Sequence, residues 1–82
     1  MITYIVVGFP ISGGCATFQK EYKRRKNAEN TQKKLISSGN YKNVMLRQEE
    51  ILLDNGNDYI SISKPINELE CSVSGKIKMR TI

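Results

Sequence analysis

The run Ile2-Thr3-Tyr4-Ile5-Val6-Val7-Gly8-Phe9 constrains this chain more than any other stretch. Every residue in it except Gly8 is β-branched or aromatic, and none is charged. Such a run reads as a central strand buried on both faces. Pro10 ends it, and Ser12-Gly13-Gly14 follows as a turn signal. The fold is therefore expected to be built around a sheet.

From Thr17 to Ser37 the pattern turns helical. At 100° per residue, Phe18, Tyr22, Ala28, Leu35 and Ile36 share one stripe, and Lys20, Lys23, Lys26, Lys33 and Lys34 fall opposite. Thr17 is the expected N-cap, and Gly39 suits the left-handed position that closes a helix. Arg25, Glu29 and Gln32 sit on the apolar side, so the docking face is expected to be partly polar.

The second half reads as strands. Val44 to Leu53 is taken as one long bent strand. Asp54-Asn55-Gly56-Asn57-Asp58 is a hairpin turn, because Asn-Gly accepts positive φ at little cost. Tyr59 to Ser63 alternates, which points Ile60 and Ile62 at the core, and Pro65 closes that strand. Asn67 to Glu70 is left as a helical turn or a loop. Cys71 to Ile82 alternates again, with Cys71, Val73, Ile77 and Met79 on one face and Lys76, Lys78 and Arg80 on the other, as suits an edge strand.

The chain, residues 1–82, thus forms one domain. Its expected class is a small two-layer α+β domain of β-α-β-β-β order. A mostly antiparallel sheet is covered on one face by one amphipathic helix. One helix leaves the other sheet face uncovered. An 82-residue chain also has a thin stability margin. Together these favour self-association as a homodimer or higher oligomer.

Charge is segregated. Residues 17–42 carry a net +6, residues 43–70 a net −4, residues 71–82 a net +3, and the whole chain +5. That balance favours an anionic partner, such as a nucleotide, a nucleic acid or an acidic protein face. A basic block beside an acidic one can also pair across a subunit interface. The wealth of Ile (10), Lys (9) and Asn (7) suits an A+T-rich coding genome such as that of a phage or plasmid.

Composition excludes much chemistry. There is no histidine, which removes the common general base and every His-containing zinc site. Cys15 and Cys71 belong to no C-x-x-C pair. No apolar run approaches the length of a membrane span, and Met1 to Val7 lacks the charged start of a secretory signal. The chain is read as cytoplasmic, away from membranes and free of cofactors and metals, with two reduced thiols buried as small hydrophobes. The carboxylate pairs Glu49-Glu50 and Glu68-x-Glu70 are read as surface charge.

Two constellations remain. The glycine-rich turn leading into a basic helix offers backbone N–H groups to an anion, through Ser12, Gly13, Gly14, Thr17, Lys20 and Arg24. The alternative is a nucleic-acid surface on a basic helix 20–34 and the C-terminal strand, through Lys20, Lys23, Arg24, Lys34, Lys76, Lys78 and Arg80. Tyr41 and Tyr59 are the aromatics expected to be free for base stacking. The expected function is that of a small non-enzymatic binder. Its partner is an anionic small molecule or a host protein, or in the alternative a nucleic acid.

Overall fold

The computed structural model describes residues 2–54, 58–71 and 76–81. The elements run β1 (Ile2–Pro10), β2 (Phe18–Tyr22), α1 (Arg25–Ser37), β3 (Tyr41–Asp54), β4 (Asp58–Cys71) and β5 (Ile77–Thr81). The strands form one antiparallel sheet in the order β2-β1-β3-β4-β5. This is the small α+β domain expected, with one strand more. The order is β-β-α-β-β-β.

The added strand corrects the helix. Phe18 to Tyr22 pairs with β1 from Gly8↔Phe18 to Tyr4↔Tyr22, and Thr17 caps nothing. Its N–H instead donates to the Gly8 carbonyl at 3.0 Å, where the hairpin closes. The error has a physical cause. A spacing of four residues puts Phe18 and Tyr22 on one face of a helix, and equally on one face of a strand. Both rings do pack against the core, but from the sheet. The helix begins at Arg25 and ends where Gly39 takes φ +80°.

Strand register fixes which residues share a face. Val6 lies opposite Leu46, Gly8 opposite Val44, and these lie opposite Asn67 and Leu69. This is the face that α1 covers. Val6, Val44, Leu46 and Leu69 meet Ala28 and Ile36 of the helix there, and all six are buried. Gln32 is buried among them. Its Nε2 donates to the Val44 carbonyl at 2.9 Å and to Asn67 Oδ1 at 2.8 Å. The docking face is partly polar, as its sequence implied. Tyr41 is not free: its ring lies over Gly8 and meets Phe18 edge to face at 6.5 Å.

The second half also needs correction. β3 is one long strand, as expected. β4, however, runs through Pro65 and through Asn67 to Glu70. The register slips between Leu46 and Arg47, so Ile66 is an extra residue on β4, and Pro65 sits beside this bulge. The Asn55-Gly56 turn lies outside the described residues, but β3 and β4 pair to the row Asp54↔Asp58. Ile60 and Ile62 stand on the helix-covered face yet beyond the helix, and both are exposed. The single strand expected from Cys71 to Ile82 is instead the end of β4 and, after residues 72–75, the edge strand β5.

Among the described residues no second layer lies on the opposite sheet face, so the helix covers β1 on one side only, although Thr3 on the other side is 4% exposed. Ile5, Val7 and Phe9 are half-buried there. Across β3 and β4 that face is dressed by polar pairs: Asn43 Nδ2 donates to Glu68 Oε1, Ser61 Oγ to Glu49 Oε1 at 2.9 Å, and Arg47 Nε to Ser63 Oγ at 3.2 Å. Cys71 is half-buried against the core, whereas Cys15, expected to be buried, is exposed, and neither is joined in a disulfide. No helix among the described residues is long and apolar enough to cross a membrane.

Candidate anion-binding surface

The start of α1 concentrates positive charge. Lys20 stands on β2, Lys23 and Arg24 form the bend after it, and Arg25 and Lys26 open the helix, all of them exposed. Arg24 is the N-cap residue, with extended backbone and no side-chain cap hydrogen bond, and the first turn holds no acid. An uncapped helix start leaves backbone N–H groups unsatisfied and carries the positive end of the dipole. Cations stacked there repel both it and each other. Arg25 is relieved by Glu29, one turn on, at 3.7 Å. Lys20 Nζ sits 5.5 Å above the Tyr22 ring. On the helix, Lys33 and Lys34 continue the exposed basic side.

The structure splits the glycine-turn site. Ser12, Gly13 and Gly14 lie in the exposed connection between β1 and β2, with both glycines at positive φ. The N–H of Gly13 is spent on the Pro10 carbonyl at 3.0 Å. Thr17 closes the same connection, but Lys20 and Arg24 lie away from it along β2. The helix start is therefore at the far end of a five-residue strand, roughly 17 Å from the turn. A cavity of about 320 Å³ does border the glycines, lined by Phe9, Pro10, Gly13, Gly14, Lys42, Asn43, Met45 and Glu68. It holds one cation and one carboxylate, so its charge suits no strong anion.

The nucleic-acid set divides as well. Lys23, Arg24 and Lys34 share the helix layer, but there is no basic helix over 20–34, since 20–22 is strand. Lys78 and Arg80 stand on the opposite edge of the sheet, on the uncovered face, in register with Glu70 and Glu68. Arg80 pairs with Glu70 at 3.4 Å. Lys76 lies just before β5. The C-terminal row is thus balanced by acids, and the corner at 20–26 is not. The charge count marks these residues in the sequence, but nothing marks the missing cap, because the helical spacing begins at Thr17, seven residues before the true N-cap Arg24.

Among the described residues no three Cys, Asp or Glu are gathered to hold a metal. No family model matches the chain, and no curated protein or solved structure matches it either.

Proposed function

We propose that this protein is a non-enzymatic binder of an extended anionic partner, such as a nucleic-acid backbone, held at the corner formed by Lys20, Lys23, Arg24 and Lys26. One observation carries this reading. Four exposed cations crowd the uncapped positive end of a helix, an arrangement that costs folding energy and offers an anion both charge and N–H donors. The cations run from β2 through the bend into α1 and lie apart from the glycine turn, which favours an extended polyanion over a compact phosphate ligand.

The test compares a 20-nucleotide single strand with inorganic tripolyphosphate. The oligonucleotide should bind, with log affinity falling against log salt at a slope of about −3, as four neutralised phosphates require. Lys23→Glu with Lys26→Glu should weaken it more than tenfold, and Gly13→Val should leave it unchanged. Tight tripolyphosphate binding abolished by Gly13→Val would return the site to the glycine turn. If neither anion binds, the reading is wrong.

A further inference from the structure

The cavity beside the glycine turn lies on the sheet face that the helix leaves open. Phe9 of β1, Met45 of β3 and Glu68 of β4 border it, and register puts all three on that face. Met45 lies opposite Val7 and Glu68, and Phe9 lies opposite Asn43. Two local irregularities shape its rim. The first is a bulge. Phe9 pairs with Asn43 but Pro10 pairs with Tyr41, so Lys42 is an extra residue on β3. In a regular strand Lys42 would share a face with Val44, and Tyr41 with Asn43. Instead the Tyr41 ring lies over Gly8 and against Phe18, on the helix-covered side, and Lys42 and Asn43 both border the cavity. The bulge thus brings a cation to the open face. The second irregularity is Gly13-Gly14, at φ +85° and +91°. An added Cβ would meet nothing within 4 Å at either. The left-handed backbone, not crowding, asks for glycine there, and it carries the connection along the cavity's edge.

The charges in this cavity are unspent. Lys42 and Glu68 border it together but do not pair with each other, and neither joins an ion pair among the described residues. Asn43 Nδ2 donates to Glu68 Oε1, which fixes the carboxylate, while Oε2 accepts from no described residue. Phe9, Pro10 and Met45 supply an apolar wall beside these groups.

We propose that this cavity binds a free α-amino acid with an apolar side chain. Its ammonium group donates to Glu68 Oε2, its carboxylate accepts from Lys42 Nζ, and its side chain lies on the wall of Phe9, Pro10 and Met45. Opposite charges on one cavity suit a ligand that carries both. A plain anion would meet the Glu68 carboxylate, and a plain cation would meet Lys42. A volume of about 320 Å³ stands at the small end of ligand clefts, roughly 300–1,000 Å³. That suits a single amino acid better than a peptide, which also holds its two charges whole residues apart. The site lies at the other end of β2 from the basic corner, so it does not rest on the polyanion reading.

Titrating isotope-labelled protein with L-leucine to about 10 mM should give saturable amide shifts at Gly13, Gly14, Asn43 and Glu68. Isocaproate lacks the ammonium group and isoamylamine lacks the carboxylate, so each should bind about tenfold more weakly or worse. L-glutamate should bind as poorly, because its second carboxylate would face the apolar wall. Glu68→Gln keeps the acceptor for Asn43, and Lys42→Met keeps the apolar stem of an exposed side chain. Each should leave far-UV circular dichroism unchanged and weaken L-leucine about tenfold or more. Failure to saturate by that concentration would overturn the proposal, and so would shifts confined to other amides. Affinity for isocaproate, isoamylamine or L-glutamate equal to that for L-leucine would do the same, as would binding that survives both substitutions.

Discussion

Gln32 carries an amide into the least accessible part of the molecule, at 2% exposure. Its two hydrogen bonds tie α1 to β3 and β4 at one point, so the helix cannot slide without orphaning them. Leaving a buried polar group unsatisfied costs about 1–3 kcal/mol. Gln32→Ala should lose roughly 2 kcal/mol in urea denaturation, and a double-mutant cycle with Asn67→Ala should show coupling of about 1 kcal/mol. Additive losses would show that the amide pair does not lock the helix. Gln32 was legible in the sequence as a polar break in an apolar stripe. Its partner Asn67 was not, because finding it required knowing that β4 runs on past Pro65. The place of Tyr41 was illegible for a similar reason. Its ring fills the space over Gly8, where an added Cβ would meet it at 2.9 Å, and nothing local to either residue announces that pairing.

At the scale of the element, α1 shows how two periods compete. Its last turns were plain from Leu35, Ile36 and Gly39. Its first turns were not, because Phe18 and Tyr22 fit either geometry and the glycine-rich stretch before them fits a hairpin as well as a helix start. The true start is poorly made for stability. Arg24→Asp would supply an N-cap acceptor and remove one cation, so it should raise stability by about 1 kcal/mol in urea denaturation. Under the proposed function the same change should weaken oligonucleotide binding several-fold. A gain in stability with no loss of binding would separate the basic corner from the binding site. Stability and activity opposing each other at one residue is the usual mark of a strained functional position.

The whole molecule is long for its size. Its radius of gyration is 14.2 Å and its extents are 51 × 25 × 19 Å, whereas a compact chain of this length has a radius near 12 Å. The β3–β4 arm that runs on beyond the helix accounts for the difference. Sheet, single helix and open second face were legible from the order of patterns along the chain. The arm was not, because alternation at Ile60 and Ile62 tells which side a residue faces and says nothing of whether anything covers that side. Local opening is easiest where few apolar contacts are made. In the Ile60→Lys, Ile62→Lys chain, amides of Glu50 to Leu52 should exchange hydrogen at least tenfold faster than those of Val44 to Leu46. Equal protection would mean that the arm and the core open as one unit.

The central place of β1 has a consequence for synthesis. β1 is made first, yet its partner β3 follows much later, since Gly8 pairs with Val44 and Ile2 with Glu50. At ribosomal speeds of ~5–20 residues per second, that leaves the most apolar strand without its main neighbour for roughly 2–10 s. β2 arrives soonest and needs only the short connection 11–17 to pair with it. The small edge strand, with charged Lys20 and Glu21 at its centre, therefore serves the nascent chain as an escort, closing one side of β1 until the hairpin arrives to close the other.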